Sequence, residues 1–359
     1  MAELYDLVVI GGGPAGSAAA ITAARSGAKI LLLERGRFPR HKVCGEFVSA
    51  ESLGLLSSLL DPAYVSVLRD ALLIPHARMF VDGQVLHSTV RPPAASIARF
   101  DLDMALWNSA GKSGVEVKQQ VAAEVIRGTG PFQVNTSIGE FAARAIVNAS
   151  GRWSNLNAGG QKQAQDKWLG VKGHFSEAAP HLSVDLYFFD GGYCGVQPLT
   201  ADTVNACAMV RAEVASTLTE VFAQHQFLRE RSRSWKPITE PVFTSPLIFR
   251  APQPLRDGIL MAGDAAAFVD PFVGDGISLA LRSGSLAANC LVPFFNRRVS
   301  FEEALSRYER HYQQRFSPVF KTSSKIRKML QLPRAVRRPL VFMLDKAPAL
   351  TQHLLSKTR

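Results

Sequence analysis

Gly11-Gly12-Gly13-Pro14-Ala15-Gly16 carries the spacing GxGxxG, and its chemistry is that of the backbone. Gly11 permits a tight turn, Gly13 leaves the main chain bare where a pyrophosphate must approach, and Gly16 lets the following helix close on the preceding strand. The unpaired N–H groups at the start of that helix then face the phosphates. Glu34, 23 residues after Gly11, offers a carboxylate that can accept hydrogen bonds from both hydroxyls of an adenosine ribose. Gly11, Gly13, Pro14, Ala15, Gly16, Glu34 and the adjacent Arg35 are therefore expected against a bound dinucleotide. Other chemistries lack their residues. There is no HExxH, nucleophile elbow, P-loop or internal repeat, so hydrolysis and phosphoryl transfer have no basis and a cofactor must carry the reaction. Cys44, Cys194, Cys207 and Cys290 never form a CxxC pair; no metal site and no disulfide framework is expected, and a reducing cytoplasm fits.

The elements that must position these groups are legible around them. Tyr5 to Ile10 is a near-continuous apolar run, as expected of a parallel strand buried on both faces. An Ala-rich, helix-favouring stretch runs from Ser17 to Ser26, and a second strand, Lys29 to Leu33, delivers Glu34. Strand, turn, helix and strand form a βαβ unit that can hold either NAD or FAD, so the choice depends on residues far downstream.

Gly258-Ile259-Leu260-Met261-Ala262-Gly263-Asp264-Ala265-Ala266 ends a short strand in Gly-Asp, and Asp270-Pro271-Phe272-Val273-Gly274-Asp275-Gly276-Ile277 follows. Together these resemble the second FAD fingerprint of flavoprotein monooxygenases of the p-hydroxybenzoate hydroxylase type, which geranylgeranyl reductases and flavin-dependent halogenases share. The resemblance implies that Asp264, after Gly263, binds the flavin-side ribityl chain. It also implies that Gly274, Asp275, Gly276 and Ile277 open a helix aimed at the flavin pyrimidine edge, where a helix N-terminus stabilises an anion. Arg99, in Ser96 to Leu106, resembles the arginine that lies near the FAD phosphates. Ala145 to Ser154 falls where the family carries an Asp-Gly motif, with Ser150 in place of the Asp, which weakens any inference about the pyridine nucleotide.

Phe38-Pro39-Arg40-His41-Lys42-Val43-Cys44-Gly45-Glu46 resembles the Pro-Arg-x-Lys-x-Cys-Gly segment of the geranylgeranyl reductases. Lys42 and Cys44 are thereby expected at the cofactor, and Cys44, Gly45 and Pro271 near the flavin face, with the catalytic acid or base unassigned. A small buried hydrophobe is the competing reading of Cys44. Gly192 to Pro198 corresponds to the reductases' Tyr-x-Trp-x-Phe-Pro motif, but Gly195 and Gln197 replace the aromatics. A wider or differently lined cavity is expected, with His174, Tyr187, Tyr193 and Pro198 as candidate pocket residues and Phe188, Phe189 and Phe243 beside them.

The whole chain of 359 residues, 47% hydrophobic and 20% charged, suits a folded protein with a sizeable core. The opening residues lack a basic n-region and a cleavage site, and their apolar run is too short to span a bilayer. The expected fold is α/β: a Rossmann-type, glutathione-reductase-like FAD domain from 1–73, 96–155 and 256–300. An inserted antiparallel-sheet substrate domain is expected from 74–95 and 156–255, and a helical basic C-terminal region from 301–359. Net charge is +11, and from Lys321 to Arg359 ten Lys/Arg face a single acid, Asp345. A solvated helical face is the plainer reading of that run, and contact with a membrane surface the sharper one. Nucleic acid is not expected, because the charge is not interleaved with aromatics. The resemblance implies FAD as cofactor and NAD(P)H as transient reductant. Two outcomes follow: trapping of O2 to hydroxylate a hydrophobic, aromatic or polyketide-like molecule, or hydride transfer to an isoprenoid double bond. The balance falls narrowly to hydroxylation. Halogenation lacks a Trp-x-Trp-x-Ile-Pro segment.

Overall fold

The computed structural model describes residues 3–152, 156 and 168–346. Strand β1 (Leu4–Ile10) runs into helix α1 (Pro14–Ala24), which starts with proline at a position whose N–H would have no helical partner. Strand β2 (Ile30–Glu34) follows and pairs with β1 in parallel, Leu7 opposite Ile30. Next come β3 (Phe47–Val48), α2 (Leu53–Leu59), α3 (Ser66–Arg69) and a long hairpin of β4 (Leu72–Val81) and β5 (Gln84–Ser96). Helix α4 (Arg99–Lys112), β6 (Glu116–Gln119), β7 (Ala123–Arg127), β8 (Phe132–Thr136) and β9 (Gly139–Asn148) return the chain to the first sheet. A second excursion builds β10 (Trp168–Ser176), β11 (Ser183–Phe189), β12 (Gly192–Pro198) and β13 (Thr203–Arg211). Short α5 (Leu218–Ala223) and α6 (Gln226–Arg231) precede β14 (Lys236–Pro237), β15 (Val242–Thr244), β16 (Leu255–Arg256) and β17 (Ile259–Met261). Helices α7 (Gly276–Phe295), α8 (Phe301–Leu330) and α9 (Arg334–Lys346) complete the described chain.

Two sheets result, in a mixed α/β fold with a helical C-terminal region. The first has the order β16-β17-β9-β1-β2-β6, parallel from β17 to β6, with the β7–β8 hairpin added to β9. The second has the order β14-β10-β13-β12-β11-β4-β5-β3, with β15 on β10. It is not wholly antiparallel as expected, because β11 lies parallel to β4, Ser183 opposite His76. The chain leaves after β5 to build α4 and β6 to β9 elsewhere, so no hairpin couples the two strands and a crossover permits the parallel sense.

Helix α7 is sandwiched between α1 and α8. A Cβ on Gly284 would lie 2.0 Å from the Ala15 carbonyl oxygen, so the two helices meet backbone to backbone. Among the described residues α7 alone is long and apolar enough to cross a membrane, yet 67% of its apolar window is buried inside the protein. Helix α8 lays Ala304, Tyr308, Tyr312, Phe316 and Val319 on the core at helical spacing, and the Tyr308 hydroxyl donates to the Met261 carbonyl at 2.6 Å. Helix α9 docks on the β4–β5 hairpin through buried Val341, against Val81 and Leu86, and through Arg337, which grips Asp82 with two hydrogen bonds of 2.6 and 2.7 Å.

Candidate dinucleotide and substrate site

A cavity of about 1300 Å³ opens between the C-terminal ends of β1 and β2 and the inner face of the second sheet. That exceeds the roughly 300–1,000 Å³ of a pocket for one small ligand, and leaves space for a cofactor and a substrate together. One end is bounded by Gly11, Gly13, Pro14, Ala15, Glu34 and Arg35. Gly11 has φ +103° and its Cβ would strike the Ala149 carbonyl oxygen at 2.4 Å, so only glycine makes this turn. Gly16 stands behind the cavity wall: its Cβ would lie 1.8 Å from the Gly11 carbonyl oxygen, and it serves the site by letting α1 start where it does. Gly13 is different, because the nearest atoms to a Cβ there are Lys42 Nζ at 3.6 Å and Arg99 Nη2 at 3.9 Å. Bare backbone facing two cations is a place for an anion, and a dinucleotide's diphosphate fits it.

These cations are held by carboxylates. Asp103, fully buried on α4, accepts two hydrogen bonds from the Arg99 guanidinium at 2.7 and 2.8 Å and lies 3.5 Å from Lys42 Nζ. Burial pushes the Asp103 carboxyl up, and the charges of Arg99 and Lys42 outweigh it and hold it below its usual range. Glu34 accepts from the Gly12 amide at 2.9 Å, the Gly36 amide at 2.7 Å and Arg40 at 2.9 Å. Against burial, Lys42, Arg40 and those amides keep it ionised below its ordinary value. Arg40, Lys42 and Arg99 against Glu34 and Asp103 leave one net positive charge before any diphosphate arrives.

Cys44 and Gly45 line the middle of the cavity, together with Pro271. Beside them lies a cluster of which sequence reasoning singled out only His174. Glu46, 0% exposed and at φ +61°, accepts hydrogen bonds from Lys172 Nζ, from His174 Nε2 at 2.8 Å and from the Arg99 amide at 2.8 Å. Burial raises the Glu46 carboxyl, but the His174 hydrogen bond and the Lys172 charge outweigh it and keep it ionised. His41 stands edge-on to His174, with ring centroids 5.2 Å apart, and Asn205 donates to the Cys44 carbonyl at 3.0 Å. The available signal was Lys172, a lysine between Val171 and Gly173 in a largely apolar strand.

The second fingerprint reaches the cavity through Gly263, Asp264, Gly274, Gly276 and Ile277, and the start of α7 faces it. Asp275 does not line it. Its carboxyl turns inward, accepts from the Ser49 hydroxyl at 2.8 Å, and is pushed up to about 6 by burial. Arg152, also unsignalled in the sequence, lies over the Phe268 ring at 4.0 Å and 3.7 Å from Asp264, with its buried Nη1 lacking a hydrogen-bond partner among the described residues. An orphaned cationic N–H beside Asp264 fits a cofactor acceptor that completes it. Ser150 lines the cavity and donates to Asn148 Oδ1 at 2.6 Å, whereas Trp153 and Ser154 lie outside the described residues. No group of three or more His, Cys, Asp or Glu able to hold a metal occurs among the described residues.

The remaining wall is mainly apolar: Ala77, Met79, Val184, Leu186, Leu247 and Phe272, with Tyr193, Gln197 and Phe243. Three of the four expected pocket residues are elsewhere. Tyr187 points to the far side of the second sheet, where it stacks on Phe80 at 4.5 Å and accepts from Arg231 at 3.0 Å; its strand neighbour Leu186 faces the cavity instead. Pro198 has the opposite strand parity from Tyr193, Gly195 and Gln197, which do line the cavity. His174 shares a face with Gly170 but is carried past the end of the cavity and capped by Glu46. Phe188 packs on Tyr193 at 5.5 Å, and Phe189 joins the core on the far side. Next to Tyr193, Asp270 is 2% exposed, its nearest charge is Arg327 at 3.5 Å, and burial pushes its carboxyl up to about 7.

A family model described as FAD dependent oxidoreductase matches residues 6–39. Digeranylgeranylglycerophospholipid reductase 2 of Methanopyrus kandleri is 27% identical over 346 residues, covering 90% of this chain and 86% of its own. Digeranylgeranylglycerophospholipid reductase of Methanocaldococcus jannaschii is 26% identical, covering 92% and 87%. Among solved structures, a flavin-dependent brominase superposes with a TM-score of 0.80 at 19% identity, over 99% of this chain and 93% of that one. A geranylgeranyl bacteriochlorophyll reductase-like protein of Thermoplasma acidophilum gives 0.73 at 20% identity, over 94% and 90%. The structural likenesses carry the fold alone.

Proposed function

We infer, from a chain that is an FAD-dependent oxidoreductase of the superfamily containing the p-hydroxybenzoate hydroxylase-type monooxygenases and the geranylgeranyl reductases, that its reaction is the reduction of a carbon–carbon double bond in an isoprenoid lipid. The observation that carries this reading is the substrate wall. Aliphatic side chains from β4 and β11, with Leu247, face the cavity, and Tyr193, Gln197, Thr244 and the β5 residues Ser88, Thr89 and Arg91 supply its polar groups. The Gln197 amide is already engaged with the Ser96 hydroxyl at 2.7 Å. The aliphatic strip of this wall suits a hydrocarbon chain. The names of the two reductase relatives point the same way.

Within this reading the first sheet, α1 and α7 form a Rossmann-type FAD domain, and the second sheet forms the substrate domain. Gly13, Lys42 and Arg99 would take the diphosphate, Glu34 the adenosine ribose, and Asp264 with the start of α7 the flavin end. Bound there and reduced by NAD(P)H, FAD supplies the hydride that no side chain can. The protein's part is to hold the alkene against the flavin, to exclude water, and to deliver a proton. Tyr193 Oη is the proton donor we assign: it lines the cavity beside Asp270, and burial raises its pKa so that it stays protonated. The four free cysteines fit a cytoplasmic setting.

Product mass spectrometry tests the reading. Holoprotein with NAD(P)H and a geranylgeranyl lipid under argon is expected to yield product heavier by two hydrogens per reduced bond. A product heavier by one oxygen, formed only in air, would replace reduction by hydroxylation. Tyr193→Phe is expected to lower kcat at least about tenfold with flavin content unchanged.

A further inference from the structure

The basic C-terminal run supports an inference beyond the reaction. Helix α9 has two unlike sides. Arg337 and Val341 face the protein, bound to Asp82 and packed on Val81 and Leu86. On the opposite side, Val336 and Met343, seven residues apart and so on one helical face, are 52% and 61% exposed. Leu332, just before the helix, adds 37% exposed apolar surface. Soluble helices seldom leave such a row in water unless something covers it.

The surrounding charge says what covers it. Arg338 is exposed on α9, beside Arg334, which pairs with Asp190 at 2.9 Å, and Lys321, Lys325 and Lys328 form an exposed row at helical spacing along the end of α8. From Lys321 to Lys346 the only acid is Asp345. An apolar row flanked by exposed cations complements the acyl boundary and headgroups of an anionic bilayer. Position agrees. Val341 belongs to the same small core as Met79, and Met79 lines the cavity, so the docked helix stands one side-chain layer from the substrate wall.

We propose that α9 docks the protein on an anionic phospholipid surface, with Val336 and Met343 entering the acyl boundary and Arg338 and the α8 lysines meeting the headgroups. The surface is peripheral: α9 spans 13 residues, too few to cross.

Sedimentation with vesicles tests this on the full-length holoprotein, without substrate or reductant, so the outcome is independent of the reaction assigned above. Phosphatidylcholine vesicles with and without phosphatidylglycerol are the probes. The expected result is co-sedimentation with the anionic vesicles, weakened by salt, and at least about tenfold weaker binding for Val336→Glu/Met343→Glu. Flavin content identical to wild type shows that the variant is folded. Should that variant lose flavin, Val336→Ser/Met343→Ser and Lys325→Ser/Lys328→Ser replace it, each expected to bind severalfold more weakly. No sedimentation with anionic vesicles, equal binding to neutral ones, or binding unchanged in the folded variants would overturn the proposal.

Discussion

At Gly13 and Gly16 the same substitution should have opposite consequences. A methyl group at Gly13 enters open space 3.6 Å from Lys42 Nζ, so Gly13→Ala should fold with a melting temperature near wild type and bind FAD at least about tenfold more weakly. A methyl at Gly16 would need to occupy a point 1.8 Å from a backbone oxygen, so Gly16→Ala should lose the fold itself. Thermal melts and flavin titrations distinguish the two. Glu46 gives a second residue-scale prediction. Glu46→Gln leaves the buried Lys172 ammonium without its counter-charge, at a cost of about 3–5 kcal/mol in chemical denaturation. Asp270 gives a pH dependence with a definite sign. Its carboxyl, ordinarily near 3.8, is raised to about 7 in the fold, so the folded state holds this proton more tightly than the unfolded chain. That contribution is complete below the unfolded value and is lost as pH rises through about 7. Melting temperature should therefore fall between about pH 4 and pH 7, and Asp270→Asn should flatten most of that decline, leaving the smaller part due to Asp275. A decline equally steep in Asp270→Asn would remove Asp270 as its source.

Elements enter through their contacts. The α1–α7 crossing works because Gly284 lets a backbone meet a backbone. Gly284→Leu should push α7 off α1, misplace the helix start that faces the cavity, and cost both stability and flavin, read as a lower denaturation midpoint and a colourless preparation. Which elements the sequence discloses follows from how local their causes are. β1, the glycine turn, α1 and β2 were legible because each is specified by residues within a few positions of itself, down to Glu34 at the end of β2. The side of a strand on which Tyr187 or Pro198 falls was not, since one step along β11 or β12 reverses the face and only pairing with β4 and β13 fixes it. The parallel union of β4 with β11 was hidden for a similar reason. It depends on strands 107 residues apart, Ser183 opposite His76, with no turn motif between them. His174 shows a third limit, because its place depends on Glu46, a residue from another segment held at positive φ.

For the whole molecule, two sheets enclose one cavity whose ends differ in kind. The first sheet presents glycine backbone, cations and helix starts, and the second presents aliphatic wall and a tyrosine. The motifs disclosed the first end because phosphate recognition uses backbone shape, which demands glycine at fixed spacing. The second end needs only hydrophobic surface of the right volume, which many residues supply, and so sequence reasoning leaned narrowly to an aromatic or polyketide-like substrate with an isoprenoid as the alternative. The most direct test of the account is an anaerobic absorbance measurement on holoprotein whose flavin has been bleached with one equivalent of NAD(P)H. Adding a geranylgeranyl lipid under argon is predicted to restore the yellow oxidised spectrum in step with alkene consumption. A spectrum that stays bleached until oxygen is admitted would contradict it.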